Sequence, residues 1–242
     1  MVAAGPREVV SSLPMSDRPM TSARLKAIAG GHYGRDNQVV GPARAAASLF
    51  KRYFDLLGAL LLLLALLPAL TVVGLAIRLE SPGPALFRQK RTGLAGRPFM
   101  VFKFRSMVTV AGQETARATA PATVDDTRIT PLGRLLRRSS VDELPQLLNV
   151  LRGEMSLVGP RPHAIDHDEK YAAEIEDYGL RFQVRPGMTG LAQINGSRGG
   201  GEVFEIRRRL VLDRRYIEDW SLLSDLRILF LTVPHLIFFR AH

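Results

Sequence analysis

The 242-residue chain has no cysteine. That excludes disulfides, thiol nucleophiles and cysteine-ligated zinc, and it fits a reducing compartment. Acidic residues are also in short supply: 23 Asp and Glu face 33 Lys and Arg, a net charge of +10. The partners to expect are therefore anionic, whether acidic lipid, phosphorylated substrate or nucleic acid. The five histidines include no HExxH pair. His163 and His167 have helical metal spacing, but no upstream partner accompanies them. GxSxG, GxGxxG and GxxxxGK[ST] are all missing, so serine-hydrolase, dinucleotide and P-loop chemistries find no support. No apolar core of signal length opens the chain. Residues 1–48 are rich in Ala, Gly, Pro and Ser with scattered charge, and read as a disordered N-terminal tail rather than a cleavable leader.

What is present begins with an apolar run. Between Asp55 and Arg78 lie 22 uncharged residues. As a helix they extend ~33 Å, enough to cross a hydrocarbon core. They carry no polar stripe, which argues against a buried core helix. Both flanks are basic: Arg44, Lys51 and Arg52 precede the run, and Arg78, Arg88, Lys90, Arg91 and Arg97 follow it. Basic flanks prefer the cytoplasmic side, so a simple span conflicts with one of them. Pro68 removes a backbone donor just past the middle of the run. Together these features favour a re-entrant helix-break-helix over a span. A second apolar stretch, from Leu222 to Phe239, is interrupted by Asp225, Arg227, Pro234 and His235. It reads as an amphipathic segment in the membrane interface, anchored by Phe238, Phe239 and Arg240, with an ordinary core helix as the alternative.

The rest reads as a small mixed domain. Ser81-Pro82-Gly83-Pro84 ends the membrane segment. Residues 85–91 and 99–107 read as two strands around a Gly-rich turn, with Lys103 and Arg105 on one face and Phe102 and Phe104 on the other. Residues 110–124 read as a flexible loop. A helix over 131–138 follows, ending in Arg137-Arg138. Ser140-Val141-Asp142-Glu143 then matches a capping box that starts another helix. A carboxylate at a helix start beside arginines stays ionised, and an ionised carboxylate is a nucleophile and a Mg²⁺ ligand. The alternative is that Glu143 is only a cap. Adjacent residues do not share a helix face, so this is not the pair that holds a sugar between acid and base. Gly159-Pro160-Arg161-Pro162 and Arg185-Pro186-Gly187-Met188-Thr189-Gly190 are turns with an arginine at the mouth. Their glycines would let backbone approach a phosphate. Residues 202–220 read as a basic amphipathic helix.

These motifs, in this order, resemble the bacterial sugar transferase family of monotopic phosphoglycosyl transferases over residues 49–240. The residues that carry the resemblance are Lys51-Arg52-x-x-Asp55, Ser81 to Pro84, Lys103 to Met107, Asp126-x-Arg128-Ile129-Thr130, Asp142 to Gln146, Gly159 to Pro162, Arg185-Pro186-Gly187-x-Thr189-Gly190 and Asp225-Leu226. The resemblance implies an α+β, membrane-embedded monotopic fold. It would combine a re-entrant helix broken at Pro68, interfacial amphipathic helices and a small β-hairpin. It divides the chain into a tail (1–48), a membrane helix (49–80) and a cytoplasmic catalytic domain (81–242) at the bacterial inner membrane. It implies transfer of a sugar 1-phosphate from a UDP-sugar to polyprenyl (undecaprenyl) phosphate, initiating exopolysaccharide or other lipid-linked glycan synthesis. Asp142 would be the nucleophile, Glu143 its partner, and both would face Mg²⁺. Arg137, Arg161, Arg185, Arg198 and Lys103 are the candidate phosphate-binding groups, with Asp225 a further member of the site. Membrane lipid and a second copy of the chain are expected partners; nucleic acid is not. Serine precedes the breaking proline in some small members, where this chain has Leu67, and the Gly199–Gly201 run lengthens a loop near the site. Two rivals remain: a non-catalytic basic adaptor on anionic lipid, which leaves the Asp-Glu pair unexplained, and a glycosyltransferase that releases UDP instead of UMP.

Overall fold

The computed structural model describes residues 44–108, 126–197 and 203–238. The loop expected at 110–124, Arg198, Gly199–Gly201, Phe239 and Arg240 lie outside them, as does most of the expected tail. A helical turn at Arg44–Ala47 leads to α1, Leu49–Glu80, which Ser48 caps by accepting from the Lys51 amide. Here Pro68 lies inside the helix, and the Thr71 hydroxyl donates to the Leu67 carbonyl beside it at 2.9 Å. Leu60, Leu61, Leu64, Leu67, Val72 and Leu75 are exposed, as an apolar helix embedded in lipid requires.

Both ends of α1 are fastened to one body. Near its start, Arg52 donates to the Val150 and Leu151 carbonyls and Asp55 accepts from the Leu157 amide. At its end, Glu80 accepts from the Leu132 amide, and Arg105 donates to the carbonyls of Ile77, Ser81 and Pro82. Arg105, expected on the same strand face as Lys103, thus satisfies the orphan carbonyls where α1 stops. Ile77, Phe104 and Leu136 close a small core over this junction.

Strands β1 (Leu86–Thr92) and β2 (Pro98–Phe104) form the expected antiparallel hairpin. Helix α2 (Pro131–Arg138) is followed by a 3₁₀ segment, Val141–Gln146, and by α3 (Leu147–Arg152). Asn149, fully buried on α3, holds the hairpin: its amide donates to the Met100 carbonyl at 2.7 Å, and its oxygen accepts from the Phe102 amide at 3.0 Å. Strands β3 (Ser156–Val158) and β4 (Gly187–Thr189) pair in parallel. That pairing lays the two arginine turns side by side. A Cβ on Gly187 would come 2.0 Å from the Gly159 nitrogen, and one on Gly190 would come 2.2 Å from the Gly159 oxygen. These glycines let the two turn backbones pack directly against each other. Helices α4 (Ile165–Glu174), α5 (Leu191–Ile194), α6 (Val203–Glu218) and α7 (Leu222–Phe238) complete the fold. Helix α7 is continuous, buries Ile228, and leaves Leu223, Leu226, Phe230 and Val233 exposed.

Candidate active site

The capping box does not form. Ser140 adopts a left-handed conformation, φ 55°, and its side chain caps nothing. The turn it makes is tight enough that Val141–Gln146 winds as a 3₁₀ segment, and this frees Glu143 for other partners. Arg161 reaches Glu143 with a two-pronged fork, at 2.9 Å to Oε2 and 2.6 Å to Oε1. Lys103, from β2, donates to Oε1 at 2.7 Å. The hairpin, the dyad segment and the first arginine turn therefore meet at one carboxylate.

Asp142 is half-buried next to it and makes no ion pair within 4 Å among the described residues. Burial, and then the Glu143 charge, push its carboxyl up to about 6, against the pull of Lys103, Arg161 and Arg137. Burial also opposes ionisation of Glu143, but Arg161 and Lys103 outweigh it and hold that group well below the usual Glu range. One carboxylate is thus locked as an anion by two cations. Its neighbour is ionised at neutral pH yet uncommitted. Such an asymmetric pair is typical of groups placed for chemistry.

Of the expected phosphate-binding groups, Arg161 and Lys103 meet at the dyad, and Arg137 lies close enough to act on the Asp142 charge. Arg185 does not join them: its Nε donates to the Gly153 carbonyl at 3.0 Å, at the far end of α3. The β3–β4 pairing sets its turn beside the Arg161 turn, but its side chain runs to the end of α3. Asp225 is fully buried elsewhere. It accepts from Lys51 at 2.7 Å, Tyr216 at 2.9 Å and Trp220 at 3.1 Å, tying α7 and α6 to the root of α1. It acts as an anchor of the membrane segment.

Two features escaped the sequence reading. One is a buried polar cluster behind the arginine turn. Arg181 donates to the Arg161 carbonyl at 2.6 Å and to Tyr178, whose hydroxyl donates to Asp168; His163 lies against Arg181 and Arg209. Burial and the Arg181 charge push His163 down to about 3, so it is neutral. Its two ring nitrogens face the Arg181 and Arg209 guanidiniums instead of a shared site with His167. The partners of this cluster come from separate helices, and no local spacing announces them. The other is Arg91, at the end of β1, which pairs with Ala164 just beyond the arginine turn.

The Mg²⁺ expected from the sequence would have to be held by the dyad carboxylates. Oε2 of Glu143 accepts a single fork hydrogen bond, and the Asp142 carboxylate is uncommitted, so both retain lone pairs. No group of three or more His, Asp or Glu able to hold a metal occurs among the described residues. Two carboxylates fit Mg²⁺, which completes its shell with water and substrate phosphates.

A family model described as "Bacterial sugar transferase" matches residues 46–239. The chain belongs to that family. Among curated relatives, a UDP-glucose:undecaprenyl-phosphate glucose-1-phosphate transferase of Caulobacter vibrioides is 53% identical over 195 residues, 80% of this chain and 72% of that protein. A protein of the same description from Escherichia coli K12 is 48% identical over 193 residues, 79% of this chain but only 41% of the longer relative. An exopolysaccharide production protein of Rhizobium leguminosarum is 46% identical, over 76% of this chain and 94% of that protein. This bacterial sugar transferase is accordingly a sugar-phosphate transferase by family, with an apolar helix suited to membrane association.

Proposed function

We propose that the chain transfers a sugar 1-phosphate from a UDP-sugar to polyprenyl phosphate, with UDP-glucose the first donor to try. The observation that carries this is the dyad itself: Glu143 clamped by Arg161 and Lys103, with an uncommitted Asp142 beside it. In the first half-reaction an Asp142 oxygen attacks the sugar-bearing phosphorus, the bond to the UMP oxygen breaks, and UMP leaves. In the second, a polyprenyl phosphate oxygen attacks the same phosphorus and the Asp142 carboxylate departs. No proton need be exchanged in either step. Arg161 and Lys103 keep Glu143 anionic and fixed while positive charge remains for the phosphates. Bound Mg²⁺ on Asp142 and Glu143 would neutralise part of the diphosphate charge.

A panel of UDP-sugars with polyprenyl phosphate, scored for the released nucleotide, tests the reading. UMP release that stops with EDTA and returns with Mg²⁺ supports it. UDP release would favour a glycosyltransferase, and no release with any donor would favour a membrane adaptor.

We further infer that α1 re-enters rather than spans, with the catalytic body on the cytoplasmic face of the inner membrane. Two basic flanks, Pro68 and the attachment of both ends of α1 to one body support this. Single cysteines at Ser48 and Thr115 are clean probes in a chain without others. Neither is expected to react with an impermeant maleimide in spheroplasts until the inner membrane is opened. Labelling of Ser48→Cys alone from outside would make α1 a span.

A further inference from the structure

We propose that Arg91 is a phosphate-binding residue of this site, donating to a phosphoryl oxygen of a bound substrate. The inference rests on the phosphoryl-transfer reading and adds a residue that no motif singled out.

It starts from charge pairing. Near the site, most other cations are matched, Arg137 excepted. Lys103 and Arg161 share Glu143, and Arg181 lies 3.2 Å from Asp213. Farther away, Lys51 has Asp225 and Arg128 has Asp126. Arg91 has no carboxylate within 4 Å among the described residues. It donates instead to the neutral side chain of Gln89, 2.5 Å away on its own strand. A half-buried cation without a counterion is costly unless a ligand supplies one.

Its position says which ligand. The bridge to Ala164 sets Arg91 beside the turn that bears Arg161. Glu143 is already engaged by two cations, and Asp168 accepts from Tyr178 at 2.6 Å. Neither lies within 4 Å of the Arg91 guanidinium, although the second Asp168 oxygen has no hydrogen-bond partner. Arg91, Lys103, Arg161 and Arg137 thus surround two carboxylates, an excess of positive charge that a diphosphate and a phosphomonoester would meet. The Arg161 fork is turned to Glu143, so a phosphate arriving at Asp142 needs another donor, and a guanidinium suits it. Burial and the neighbouring Arg161 charge also push Arg91 down to about 10, consistent with a cation awaiting an anion.

The test uses the full chain in detergent, as wild type, Arg91→Lys and Arg91→Gln, with thermal unfolding as the check on folding. Inorganic pyrophosphate is the binding probe, read by calorimetry and independent of turnover. Arg91→Gln is expected to weaken it by about tenfold or more, with Lys intermediate because it keeps the charge and loses the fork. Initial rates of UMP release then distinguish the source of the phosphate. A raised KM for the UDP-sugar with an unchanged KM for polyprenyl phosphate assigns Arg91 to the nucleotide; the reverse assigns it to the lipid phosphate. Pyrophosphate affinity within twofold of wild type in a folded Arg91→Gln protein, with both KM values unchanged, overturns the proposal. Loss of pyrophosphate affinity in a protein whose wild type releases no UMP would leave Arg91 an anion-binding residue and reject the transfer reading alone.

Discussion

Asp142→Asn is expected to abolish turnover while the protein still folds and inserts. The amide keeps the shape of the carboxylate and loses its nucleophilicity, so the rate should fall on the order of 10³-fold or more. Asp142 makes no ion pair within 4 Å among the described residues, so the change breaks no salt bridge and the thermal midpoint should hardly move. Asp142 is also a proposed Mg²⁺ ligand, and excess Mg²⁺ separates the two roles. If metal binding were its whole contribution, raising Mg²⁺ should restore much of the rate. A lost nucleophile is not restored. Activity of Asp142→Asn within a few-fold of wild type would end the assignment.

The next largest effect is expected at Arg161. Its fork fixes both oxygens of Glu143, and the Arg181 hydrogen bond to its carbonyl fixes its own backbone. Arg161→Met leaves Glu143 with Lys103 alone beside a second carboxylate. The loss in kcat should be about 10²- to 10³-fold, the scale of removing one preorganised electrostatic group. Arg161→Lys should recover only part of it, because a point charge cannot replace the two-pronged contact. If Lys restored full activity, charge alone would be required and the fork would be incidental. Rates measured at saturating UDP-sugar separate this effect from weaker substrate binding.

Much of the site was legible because its parts are local. The Asp142-Glu143 pair, the Lys103 strand and the Arg161 turn each stand out in a few consecutive residues. The hairpin and the stop after Glu80 follow from turn chemistry in the same way. What failed were inferences about where a legible residue points. Ser140 reads as a helix cap, but its left-handed backbone puts the hydroxyl out of reach and turns Glu143 towards Arg161. Arg185 reads like Arg161 and its turn lies beside it, yet its side chain runs to the Gly153 carbonyl. Asp225 enters the expected site only through the family resemblance; its partners Lys51 and Tyr216 lie 174 and 9 residues away and make it an anchor. The cluster of His163, Asp168, Tyr178, Arg181 and Arg209 was invisible for the same reason. Charge pairing between distant elements decides these roles, and neither spacing nor composition encodes it.

The phosphoryl-aspartate is the central claim, and intact-protein mass spectrometry of a single half-reaction tests it most directly. The full chain is mixed with UDP-glucose and Mg²⁺ without any lipid acceptor, quenched, and weighed while released nucleotide is counted. The account predicts about one equivalent of UMP per enzyme, added mass equal to one sugar phosphate, its location on the peptide bearing Asp142, and none of these in Asp142→Asn. An enzyme that gains no mass and releases UMP only when polyprenyl phosphate is present would show direct transfer between the two substrates and contradict it.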